Sequence, residues 1–149
     1  MIVFEASGCR KQLILKTIKK IIMKIYTGNF ANVKKYKEKA IHPISIAISA
    51  RYFSGDKYIP LNPHKSFMME SEETYTPKYK EILSKLDVEQ VVNDLKKISN
   101  NKNIVLLCHE KEGDFCHRHL VAKWLEESIG INIVELGKMK NENIQKTLF

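Results

Sequence analysis

The sequence predicts an α/β fold: a single three-layer domain with a small, mostly parallel sheet flanked by helices. Three observations predict it. Residues 103–108, NIVLLC, are nearly all apolar, as in a strand buried on both faces of a parallel sheet. Leu120, Val121, Trp124, Leu125 and Ile129 then recur at helical spacing, with Gly130 as a helix stop. Ile131–Leu136 returns to a strand pattern, so 103–136 reads as a βαβ unit with an expected right-handed crossover. The chain has 149 residues, 44% hydrophobic and 28% charged, which suits one globular domain.

The elements before this unit follow in order. Ile25–Thr27 reads as a short strand ending at Gly28, and 31–39 as a short polar helix. Ile44–Ser49, ISIAIS, follows Pro43 and is rich in β-branched residues, so it is expected to be a strand with Arg51 just beyond its end. Residues 52–73 have no clear period and read as one long loop. Its Tyr52, Phe53, Tyr58 and Phe67 could cover a site or pack on the core. Thr76-Pro77 resembles a cap with proline in the first helical position, giving a helix over 77–86. Asp87 with Gln90 is a capping pattern for a second helix, whose apolar face is Val88, Val91, Val92 and Leu95.

Both chain ends stand apart. Residues 1–23 read as a basic extension, 24–137 as the α/β domain and 138–149 as a tail. Within RKQLILKTIKKIIM the apolar positions 14, 18, 21 and 22 give a basic amphipathic helix, which could cover the domain, bind a partner or lie on a membrane. Met23-Lys-Ile-Tyr equally marks a natural start, which would make the extension an appendage. The net charge is +8, but residues 1–24 carry six cations against Glu5, leaving +3 for the other 125 residues. Charge is thus weak support for a nucleic-acid partner. No apolar run approaches the roughly 20 residues that cross a bilayer. With no signal peptide pattern and an odd count of three cysteines, the expected location is cytoplasmic, with free thiols.

The informative stretch is 106–120, LLCHEKEGDFCHRHL. Cys108 ends a buried strand, where open α/β sheets bind ligands. Cys116, His117 and Arg118 fall at the next helix start, where free N–H groups and the dipole favour an anion and lower a thiol pKa. Arg118 adds a planar charge suited to phosphate or carboxylate. Cys108, Glu110, Cys116, His117 and Arg118 are therefore the candidate catalytic residues. Arg51, His109, Arg118, Tyr26 and Asn29 are the candidate ligand-binding residues.

Three chemistries fit these residue types. One is a cysteine nucleophile with His109 or His117 as base. The strand–loop–helix cysteine phosphatases and rhodaneses place arginine where Asp114 stands here, so their spacing fails. The second is metal binding through Cys108, His109, Cys116, His117 and His119, though C-H-x6-C-H-x-H is not a familiar zinc pattern. The third is anion binding by Arg118 and the helix start, with Glu110 and the histidines orienting the ligand. The bland alternative is that His117 and Arg118 merely bridge elements. His42 and His64 read as surface residues and Trp124 as core.

Leu106, Leu107, Cys108, Glu110, Cys116, His117 and Arg118 resemble the signature of the domain of unknown function 488 family. IYTGNFAN, ISIAIS with Arg51, and the loop prolines resemble it more weakly, over about residues 24–137. The resemblance implies a compact α/β domain with its site at the CHR block, and no particular reaction or cofactor. The leading expectation is a domain that binds an anionic phosphate-bearing small molecule or nucleotide, with catalysis on it left open. The alternatives are a nucleic-acid or protein interaction module using the N-terminal helix, and a metal-binding domain.

Overall fold

A computed structural model describes residues 23–110 and 115–136. The expectations for Cys9, the basic helix, the loop around Gly113 and Asp114, and the tail concern positions outside the described residues.

The chain runs β1 (Ile25–Asn29), a 3-10 turn at Phe30–Asn32, α1 (Val33–Glu38), β2 (His42–Ser45) and β3 (Asp56–Lys57). Two more 3-10 turns, Ile59–Leu61 and Lys65–Phe67, precede α2 (Glu72–Ser84) and α3 (Val88–Ser99). Then come β4 (Ile104–Cys108), α4 (His117–Ile129) and β5 (Val134–Glu135). The five strands form a sheet in the order β3-β2-β4-β1-β5, with every pairing parallel. The α/β architecture is therefore the one the sequence predicts.

Side chains of the central strand β4 alternate between two cores, as the period of two requires. Ile104 and Leu106 pack with α2, α3 and α4, through Tyr79, Leu83, Val91, Leu95, Val121 and Leu125. Val105 and Leu107 pack on the other face with Tyr26, Tyr36 and Ile41. All five β4 residues are buried, each large one gaining about 1.5–3 kcal/mol. The second core needs Gly28: a Cβ there would lie 2.4 Å from the Tyr36 hydroxyl oxygen.

Five expectations need correction. β1 runs on through Gly28 to Asn29, because β4 pairs with it along its whole length. β2 starts at His42, not Ile44, and ends at Ser45, not Ser49. Pro43 is tolerated because β3 joins only from Ile44, so its missing N–H faces no ladder partner on that side. Beyond Ser45, its hydroxyl accepts the Ala47 N–H (3.3 Å) and the chain turns away.

The expected long loop contains β3 and two 3-10 turns, and α2 begins at Glu72 rather than Pro77. Proline inside a helix costs about 3 kcal/mol. Burial of Tyr75, Tyr79 and Leu83 on one face outweighs that cost. The last strand shrinks to two residues beside β1, so α4 carries the chain across β1 rather than to a neighbour of β4.

Other expectations match. Asp87 caps α3 by accepting the Glu89 N–H, although Gln90 bonds Asp94 instead of completing a capping box. Gly130 ends α4 in the left-handed conformation at φ 68°. Tyr58 and Phe67 are core residues, while Tyr52 is fully exposed. No helix among the described residues is long and apolar enough to cross a membrane.

Candidate functional site

The carboxyl ends of β2 and β4 and the start of α4 converge on one place. β4 ends at Cys108, and α4 opens with Cys116 as its N-cap. Both thiols are buried. They share a small apolar cluster with Ala47 and Phe30. The helix start turns His117 inward, edge-on to the Tyr79 ring at 5.4 Å between centroids.

The hydrogen bonds orient His117. Its Nε2 lies 2.8 Å from the Ile46 carbonyl, which can only accept, so Nε2 carries a proton. Its Nδ1 faces the two sulfurs. That atom lies 3.4 Å from Cys108 Sγ and 3.7 Å from Cys116 Sγ. The three donor atoms lie within 4.8 Å of one another. Cys108 also donates to Glu110 Oε2 at 2.9 Å.

This arrangement drives the two thiols apart. Cys116 is lowered to about 6 from an ordinary value of 9.0. The hydrogen bond from Cys108 is the main cause, outweighing the cost of burial. His117 and the nearby Arg118 amide help, though Cys116 forms no full cap hydrogen bond. Cys108 is raised, by that same bond to Cys116, by burial and by the Glu110 charge. The metal-free pair thus carries one thiolate and one thiol. Burial works against the Glu110 carboxylate, but hydrogen bonding, first from Cys108, leaves it lowered.

A cavity of about 400 Å³ opens over this cluster. Cys108, His117 and Glu110 form its inner end, and Arg51 and Lys65 stand in its wall with His109. Both cations are exposed, as are Tyr52 and Met68 beside them. The His109 Nε2 donates to the Ser49 carbonyl, tying the chain after β4 to the chain after β2. Its ring lies 4.8 Å from that of Phe30.

Arg118 lies apart from the cavity wall, wholly buried. Its Nε donates to Glu135 Oε1 (2.7 Å) and one terminal nitrogen donates to the Glu110 carbonyl (2.9 Å). His119 lies 2.9 Å from the same Glu135 oxygen. Tyr26 is buried in the second core, and the Asn29 side chain accepts from Asn32. So the structure brings Cys108, Cys116, His117, Glu110, His109 and Arg51 together; Asn29 ends β1 beside Cys108 without lining the cavity, and Tyr26 sits in the second core.

Sequence reasoning missed Lys65 and the Ile46 carbonyl. Lys65 sits in an irregular loop and no local pattern marks it. The Ile46 carbonyl is a backbone group, freed where β2 ends, so its role depends on strand length rather than on residue type.

Residues 61–129 match the family described as DUF488-N3a, active DUF488-N3 subclade. No curated protein and no solved structure matches the chain. The matched stretch contains α2, α3, β4 and the α4 start, and with them every residue of the thiol cluster. This match over residues 61–129 supports a DUF488 family domain in the chain.

Proposed function

We propose that the protein binds an anionic, phosphate-bearing small molecule or nucleotide in the cavity above Cys108 and acts on it there. One observation carries this reading: two cations, Arg51 and Lys65, flank a cavity whose inner end is Cys108, His117 and Glu110. The cations take the phosphate, and the sulfur–imidazole cluster is the reactive end. Tyr52 and Met68 are large, exposed and adjacent, which suits stacking of a base or another flat group. The matched subclade is described as active, which supports turnover rather than binding alone.

In this reading Arg118 is a positioning residue. It secures the Glu110 backbone against Glu135 while the Glu110 side chain meets Cys108. The anion falls to Arg51 and Lys65, whose exposed charges are free to move onto a ligand.

Calorimetric titration with nucleoside mono-, di- and triphosphates and with inorganic phosphate tests the reading. A charge-assisted hydrogen bond at an accessible site is worth about 1.5 kcal/mol, or roughly tenfold in affinity. Arg51→Ala and Lys65→Ala should each weaken binding by about that factor. Equal affinity in wild type and the double variant would reject the cavity as the binding site.

A further inference from the structure

We propose that Cys108, Cys116 and His117 hold one divalent, zinc-class metal ion whose remaining coordination position faces the Arg51–Lys65 cavity. The spacing of the donors carries the inference. Metal–sulfur bonds of about 2.3 Å and metal–nitrogen bonds of about 2.0–2.1 Å, at a tetrahedral angle, separate sulfur from nitrogen by about 3.6 Å. The observed Nδ1–sulfur distances are 3.4 and 3.7 Å. With all three atoms within 4.8 Å of one another, the spacing suits one ion held by both sulfurs and Nδ1.

Two features favour a metal over a plain core cluster. His117 is oriented as metal-bound histidines are: the far nitrogen is bonded to a backbone carbonyl, and the near nitrogen is aimed at the sulfurs. The donor set is also selective. Two thiolates and an imidazole suit a borderline-soft ion, and they exclude magnesium and calcium, which take oxygen ligands.

Three protein ligands leave one position open, the arrangement of catalytic rather than structural zinc. Cys108 and His117 are cavity residues, so that position meets whatever the cavity holds. Glu110 stands beside it, 2.9 Å from Cys108, placed to receive a proton from a metal-bound water. With the ion in place the sulfurs would be ligands, not nucleophiles, and the ion would supply a polarised water at the cavity end. The ion's binding does not rest on the anion reading, since neither Arg51 nor Lys65 is a ligand.

The test is metal analysis of the full chain purified from zinc-supplemented cells, followed by cobalt titration of the chelator-stripped protein. The expected result is about one zinc per chain, and for cobalt a thiolate charge-transfer band with tetrahedral visible bands. Cys108→Ser, Cys116→Ser and His117→Gln should lose the zinc, while Cys9→Ser should keep it. Because a serine variant could unfold, the wild-type cobalt spectrum decides by itself. A wild-type protein with no zinc and no charge-transfer band overturns the proposal, as does zinc lost only in Cys9→Ser. Phosphate or nucleotide titration of the stripped protein reads the cavity separately, so the two proposals fail independently.

Discussion

At Cys116 a thiol sits on a helix start with a second thiol donating to it and an imidazole beside it. Each of these favours negative charge on one sulfur, and two adjacent thiolates would repel. The metal-free pair should therefore ionise in two well-separated steps. Alkylation needs the thiolate, so its rate rises as pH climbs through the pKa. In chelator-treated protein the rate of iodoacetamide modification at this pair should rise with a midpoint near pH 6, not near the ordinary 9.0. Mass-spectrometric timing of the Cys108 and Cys116 peptides reads it directly. His117→Gln should move the midpoint upward, because the imidazole is one of the groups that favours the thiolate.

At the scale of elements, Arg118 on α4 and Glu135 on β5 form the bond that fixes the two together. The arginine side chain is 1% exposed and the carboxylate 24%. Burial opposes the Glu135 charge, but bonds from His119 and Arg118 leave its pKa below the ordinary 4.5. A depressed carboxylate stabilises the fold fully above its unfolded value and loses that contribution as pH falls through the folded one. Glu135→Gln leaves a buried guanidinium without its counter-charge and should cost about 3 kcal/mol, the low end for a buried pair because the acid is part-exposed. The wild type should lose part of its stability below pH 4.5, and the variant should lack that share of the loss; urea unfolding across pH 3–7 measures both.

The same elements show what a single sequence reveals. β4 and α4 were legible because their burial is complete or strictly periodic: IVLLC admits no other reading, and Leu120 to Ile129 keeps helical spacing. The two proline-bearing elements were not. Pro43 hides the start of β2 and Pro77 hides the first turn of α2, because local rules exclude proline where only a sheet edge or buried tyrosines excuse it. β3 is two exposed residues, Asp56 and Lys57, held by pairing to β2 and by no pattern of its own.

For the whole molecule, the sheet order sets where chemistry collects. β2 and β4 are neighbours, so the chain after Ser45 and the chain after Cys108 leave the sheet side by side. That is why Arg51 and His109, 58 positions apart in the sequence, border one cavity. The residues near Cys108 were readable as a cluster because they are close in sequence. The cavity was not, because its cationic wall comes from Arg51 and Lys65, which only tertiary folding brings to the sulfurs. On the proposed reading, the claim about the molecule is one of place: the cationic wall and the thiol–imidazole floor belong to one site.

Protection of the Cys108–Cys116 pair from alkylation in chelator-treated protein tests that claim most directly. With the tightest-binding nucleotide or phosphate at saturation, modification of the pair, whose thiolate is carried by Cys116, should slow markedly in wild type and return to the unliganded rate in Arg51→Ala/Lys65→Ala at the same ligand concentration. A rate that stays unchanged while the ligand is demonstrably bound would contradict the one-site reading, since the anion would then be held somewhere other than above the sulfurs.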